Sequence, residues 1–96
     1  MMVIITYDVE TLDANGQRRL RRVAKECLNF GIRVQNSVFE CVLDSSQALF
    51  LKSKFDSIIG KSKDSIRFYF LGNNWERHIE TIGIDRGTNV TSTLII

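Results

Sequence analysis

The spacing of apolar residues changes character several times along the chain, and each change marks an element. Residues 3 to 9, VIITYDV, are a β-branched run of strand length with few polar groups, which predicts a central strand covered on at least one face. Residues 10 to 15 turn. From Gly16 to Phe30 the period becomes helical: Leu20, Val23, Ala24, Cys27 and Leu28 recur at intervals of three and four, and Gly31 is placed to stop the helix. IRVQNSVFECVL, residues 32 to 43, returns to β-branched and aromatic residues, with Asn36-Ser37 predicting a very tight corner between two strands. Asp44 with Gln47 three residues later spells a capping box, and Ala48, Leu51, Phe55 and Ile58 form a second helical stripe ending at Gly60. IRFYFL, residues 66 to 71, sets Ile66, Phe68 and Phe70 against Arg67, Tyr69 and Leu71, the period of a strand, before Gly72-Asn73-Asn74 turns the chain.

The order β-α-β-β-α-β predicts an α+β, ferredoxin-like domain, an antiparallel sheet with both helices on one face. Residues 1–96 form a single domain whose core is complete within residues 1–72. The tail, residues 73–96, carries short strand-like alternation in WERHIETIG (75–83) and an apolar end in NVTSTLII. Leaving Leu94, Ile95 and Ile96 in water forgoes about 1.5 to 3 kcal/mol for each side chain. The tail is therefore expected to add one or more strands to a sheet, with a partner's sheet edge as a natural recipient and a homodimer as the result.

Composition narrows the setting. A domain of 96 residues buries only about 60 to 65 per cent of the surface its unfolded chain exposes, so added burial in an oligomer is plausible. Thirteen basic against eleven acidic residues give a net charge of +2, compatible with a nucleic-acid partner only if the charge is clustered. Asp8 and Glu10 interrupt the first apolar run, and no run approaches the roughly 20 residues of a membrane helix, so a cytoplasmic protein without membrane contact is expected. Cys27 and Cys41 fall within the periodic patterns without CxxC spacing and are expected as reduced core thiols.

The chemistry centres on Asp8, a carboxylate at the end of the first strand. It caps a loop or accepts backbone N–H groups there, or it serves a site. His78 is the one histidine, which argues against zinc, and neither a GxSxG elbow, a GxGxxG fingerprint nor a Walker loop occurs. A Mg²⁺ phosphodiesterase remains open, because Mg²⁺ takes oxygen ligands, keeps several waters and often needs only one or two carboxylates plus substrate phosphate. A two-fold axis near Asp8 would bring in a second, identical carboxylate. Direct bridging then needs carboxylate oxygens within about 4.2 Å of each other. Two such groups repel in the absence of metal, so metal binding and activity are expected to rise toward alkaline pH.

A second constellation is basic. Residues 16 to 33 hold Arg18, Arg19, Arg21, Arg22, Lys25 and Arg33 against Glu26 alone, a local charge of +5. Arg18, Arg22 and Lys25 lie opposite the apolar stripe and Arg19 and Arg21 flank it, so this face can follow a nucleic-acid backbone, or be a solvated helix face. Phe30, Phe39, Tyr69 and Trp75 are available to stack on bases or to fill the core.

ITYDV at residues 5–9, RRLRRVAKECLNFGIRVQNSVFEC at 18–41 and SIRFYFLG at 65–72 together resemble the CRISPR-associated protein two family, the small partner of the spacer-acquisition integrase. The likeness covers nearly the whole chain, and VQNSVFE with YDV is its most specific part. It implies a ferredoxin-like homodimer whose C-terminal strands extend the partner's sheet. It also implies that Asp8 is a metal-linked aspartate, with Mg²⁺-dependent cleavage of single-stranded RNA or double-stranded DNA in some members. Tyr7 joins the Asp8 site as a catalytic neighbour, matching the family's active-site surround, or simply orients its hydroxyl into a hydrogen bond. Arg18 or Arg19, Arg33 and Phe39 match the active-site surround and basic surface, and Ser37 the corner beside the site. The partners implied are a second copy of the chain, the integrase (CRISPR-associated protein one), and DNA or RNA. Competing readings are a purely architectural DNA-holding dimer, a toxin-like endoribonuclease of the same fold, and a small-molecule regulatory domain, for which no ligand-binding glycine loop is marked.

Overall fold

The computed structural model describes residues 1–10, 13–72 and 77–84. Its elements run β1 (Met2–Asp8), α1 (Ala14–Leu28), β2 (Gly31–Gln35), β3 (Val38–Val42), α2 (Ser45–Ile58), β4 (Ser65–Leu71) and β5 (Arg77–Gly83). The strands form one sheet in the order β2-β3-β1-β4-β5, every neighbouring pair antiparallel. The ferredoxin-like arrangement is thus present with a fifth strand on the β4 edge.

The period-two pattern of β1 decides which side is the core. Val3, Ile5 and Tyr7 are buried together with Val23, Ala24 and Cys27 of α1 and Leu51, Phe55 and Ile58 of α2, so both helices cover this face. Phe39 and Cys41 of β3 and Ile66, Phe68 and Phe70 of β4 complete it, with the Phe68 ring 5.8 Å from that of Phe55 and 6.0 Å from that of Phe70. The opposite sheet face has no helix over it among the described residues. It leaves Met2 40%, Ile32 60%, Val42 64% and Leu71 40% exposed.

Two helix boundaries have local causes. Asp13 caps α1 by accepting the Gly16 N–H at 2.8 Å, starting the helix two residues before the periodic pattern does. At α2 both halves of the expected capping box are made: the Asp44 carboxylate accepts the Gln47 N–H at 2.7 Å, and the Gln47 side chain accepts the Asp44 N–H at 2.9 Å.

Gly31 corrects an expectation. It does not stop the helix, which ends at Leu28 with Asn29 as cap; it opens β2. A Cβ at Gly31 would lie 1.9 Å from the Glu40 carbonyl oxygen, so a glycine is needed where β2 and β3 approach. Gly31→Ala is expected to cost about 1 to 3 kcal/mol through forced displacement of these strands, measured as a lower urea midpoint.

The tail adds a strand to the sheet, as expected, and within one chain the recipient is β4. Residues 77–83 pair with β4 of their own chain, from Ser65 opposite Gly83 to Leu71 opposite Arg77, and Lys52 of α2 forms an ion pair with Glu80 of β5. A short link between sequential strands favours this antiparallel neighbour, so this segment does not require a partner's edge. Trp75 and the apolar end at 90–96 lie outside the described residues.

Candidate functional site

Asp8 is the last residue of β1, opposite Ser65 of β4. On its other side the Tyr7 N–H donates to the Ser37 carbonyl at 2.9 Å, which brings the Asn36-Ser37 corner against the strand end. Because successive side chains leave a strand on opposite faces, Tyr7 enters the core while Asp8 is exposed on the helix-free face. Among the described residues no group of three or more His, Cys, Asp or Glu side chains is placed to hold a metal. Asp8 offers a hard carboxylate donor at this strand end, a ligand type that suits a cation keeping most of its waters.

Beneath the strand end lies a carboxylate that the sequence reading did not single out. Asp64 is fully buried. Its Oδ2 accepts the Tyr7 hydroxyl at 2.6 Å, Arg19 Nε at 2.6 Å and the Gly60 N–H at 3.0 Å, and its Oδ1 accepts Arg19 Nη2 and the Glu10 N–H, each at 3.2 Å. Burial alone would raise the Asp64 pKa, but the hydrogen bonds from Arg19, Tyr7, Gly60 and Glu10 outweigh it and hold the carboxyl below its usual range.

This network decides between the two readings of Tyr7 and corrects the expectation for Arg19. Burial first, then the hydrogen bond to Asp64 and its negative charge, push the Tyr7 phenol far above its ordinary value. Tyr7 is thereby a protonated donor committed to Asp64, facing away from Asp8, and has no catalytic position beside it. Arg19, flanking the apolar stripe, folds inward onto Asp64 and is held cationic by that bond, so it is a structural clamp and not part of the outward basic face.

The remaining basic residues stay outside. Arg18, Arg21, Arg22 and Lys25 are exposed along α1. Arg33 is exposed on β2, where its Nε donates to the Asn36 carbonyl at 2.8 Å and its guanidinium lies 5.4 Å from the centroid of the Phe39 ring. Phe39 itself is completely buried: its place in β3 alternates it onto the helix-covered face, which corrects the expectation that it meets nucleic acid. Cys27 and Cys41 are free and buried, with the Cys41 thiol directed at the Cys27 carbonyl at 3.7 Å, as expected for core thiols. No helix among the described residues is long and apolar enough to cross a membrane.

The sequence does not mark Asp64 because its partners are remote: Tyr7, Glu10 and Arg19 lie 57, 54 and 45 residues away. In KSKDSIRF it reads as a polar turn residue before a strand. The available signal was Tyr7, since a tyrosine inside a buried strand needs a hydrogen-bond partner for its hydroxyl.

Comparison with known proteins places this geometry in a family. The family model described as CRISPR associated protein Cas2 matches residues 1–79. The chain is 50% identical over 95 residues to the CRISPR-associated endonuclease Cas2 of Halalkalibacterium halodurans, covering 99% of each chain. It is 48% identical over 96 residues to the CRISPR-associated endoribonuclease Cas2 of Chlorobaculum tepidum, covering all of both. Among solved structures, Cas2 of Streptococcus pyogenes at pH 6.5 superposes with a TM-score of 0.73 at 52% identity, over 78% of this chain and 90% of that one. With Asp8 at the end of the central strand of a five-stranded ferredoxin-like sheet, the chain belongs to the CRISPR associated protein Cas2 family.

Proposed function

We propose that this chain is a homodimeric, Mg²⁺-dependent endonuclease that cleaves phosphodiester bonds of single-stranded RNA or double-stranded DNA, and that it also holds DNA for the CRISPR integrase during spacer acquisition. The observation that carries the nuclease reading is the exposed Asp8 carboxylate on the helix-free sheet face. If two such faces meet across a two-fold axis, each contributes one Asp8, and the site lacking in one chain is assembled from two. Mg²⁺, when bound, supplies Lewis acidity toward the scissile phosphodiester. The two Asp8 carboxylates would hold it, the Ser37 corner and Ser65 flank the strand end, and the exposed guanidinium of Arg18 with Arg22 and Lys25 would bind the phosphate backbone without reading bases. The names of the relatives, endonuclease and endoribonuclease, support the nuclease class and leave both nucleic acids as substrates to test.

The dimer is supported by the apolar residues left on the helix-free face. Val42, 64% exposed beside Met2 in the sheet, is part of the expected contact. Val42→Glu is expected to shift the protein toward monomer in sedimentation at micromolar concentration while preserving its far-UV circular dichroism; an unchanged dimer would place the interface elsewhere. The DNA-holding role is favoured by the four exposed cations of α1, which can neutralise backbone phosphates without contributing to cleavage. The deciding experiment is cleavage of labelled single-stranded RNA and linear duplex DNA with Mg²⁺ or EDTA across pH 6 to 9. Metal-dependent cleavage names the substrate; none with either leaves the DNA-holding role.

A further inference from the structure

We propose that Asp64 is a positioning residue for Asp8, tying the Tyr7 side chain before it and the Glu10 main chain after it and so setting the direction in which its carboxylate leaves the sheet. This inference rests on the reading of Asp8 as the metal-holding carboxylate.

Besides its part in stability, Asp64 collects donors that fall on both sides of Asp8 along the chain. The residue before Asp8, Tyr7, is tied by its hydroxyl, and the residue two after it, Glu10, by its main-chain N–H. Arg19 closes the bracket: its Nη2 reaches both Asp64 Oδ1 at 3.2 Å and the Glu10 carbonyl at 3.4 Å. The residue after Asp64 is Ser65, the cross-strand partner of Asp8, so carboxylate and register share one short piece of backbone. The Asp64 carbonyl in turn accepts the Ile84 N–H at 2.9 Å, and Gly83, at φ 92°, leaves room where a Cβ would lie 2.2 Å from that carbonyl oxygen. One residue thus gathers the end of β1, the first half of α1, the turn after α2 and the end of β5.

A strand end frays where its ladder stops, and a ligating carboxylate must be held within about 0.5 Å to act. Bonds to an ionised acceptor are strong, and the two at 2.6 Å, from the Tyr7 hydroxyl and Arg19 Nε, anchor the Asp64 bracket against that demand. The chain carries this charge under the strand although an apolar core would stabilise a fold of this size as well.

The test uses full-length wild type, Asp64→Asn, Tyr7→Phe and Asp8→Asn, each well below its melting temperature. Mn²⁺ affinity is read by electron paramagnetic resonance, and amide hydrogen exchange is read over residues 7–10 with α2 as reference. Asp64→Asn is expected to weaken Mn²⁺ binding about tenfold, as loss of a group supporting a metal ligand does. It should also speed exchange at residues 8–10 while α2 stays protected, and lower kcat with KM for RNA unchanged. Tyr7→Phe, which keeps the ring and the Arg19 pair, is expected to do the same more weakly, and it decides the matter if Asp64→Asn does not fold. A residue serving stability alone would lower the melting temperature and leave Mn²⁺ affinity as in wild type; that result in both variants overturns the proposal. If Asp8→Asn binds Mn²⁺ as well as wild type, the metal reading falls and this inference with it. If Asp8→Asn loses Mn²⁺ and the other two variants do not, only the positioning role falls.

Discussion

Asp8→Asn is expected to lower Mg²⁺-dependent cleavage by about 100-fold or more, the consequence of losing roughly 3 kcal/mol of metal-borne stabilisation of the transition state. The substitution keeps size and shape, and Asp8 is exposed at a strand end outside the buried core. Folding and dimerisation are therefore expected to survive, checked by circular dichroism and sedimentation on the same preparation. The loss should equal that produced by EDTA in wild type, because in the proposed dimer one substitution removes both carboxylates at once. A variant that cuts as fast as wild type would show that the carboxylate holds no catalytic metal. The cations of α1 would then carry the function, and Arg18→Glu should abolish spacer acquisition while Asp8→Asn is tolerated.

Asp64→Ala is expected to cost about 3 kcal/mol of stability, the low end for breaking a buried ion pair. The cost arises because the Tyr7 hydroxyl and the Glu10 and Gly60 amides lose their common acceptor, while Arg19, 15% exposed, can still turn toward water. For a domain of this size the melting temperature should fall by roughly 12 to 24 °C. The same carboxylate sets an acid limb. Its pKa is lowered on folding from an ordinary 3.8, so the folded state prefers the ionised form. That contribution is complete above the unfolded value and is lost as pH falls through the still lower folded value. Urea midpoints at pH 7 and pH 3 should therefore differ more in wild type than in Asp64→Ala. Equal differences would mean that other carboxylates dominate acid unfolding.

The elements of this fold were legible in the sequence because each is announced locally. The strand at 66–71 is readable from alternation within six residues, and the start of α2 from Asp44 and Gln47, three positions apart. Boundaries were less secure where a cap stood outside the periodic stripe, as Asp13 does before α1. The motifs YDV and VQNSVFE mark the family, and Asp8 stands out in its own right as a carboxylate at a strand end.

What was not legible depended on which side of the sheet a residue faces and on what returns to meet it. Tyr7 and Asp8 are adjacent in sequence, yet the pleat sends one into the core and leaves the other exposed. Phe39 and Arg19 looked like surface chemistry until β3 and α1 turned them inward, one into the apolar core and one onto a buried carboxylate. Sequence alone determined the order of elements, the basic run of α1 and Asp8 at the strand end, because periodicity, capping and charge density act over a few residues. Only the tertiary structure decided that β5 joins its own sheet, that Gly31 serves a close strand approach, and that Asp64 collects Tyr7, Glu10 and Arg19. These rest on contacts between segments far apart along the chain, and a buried carboxylate is tolerated only where folding delivers its donors.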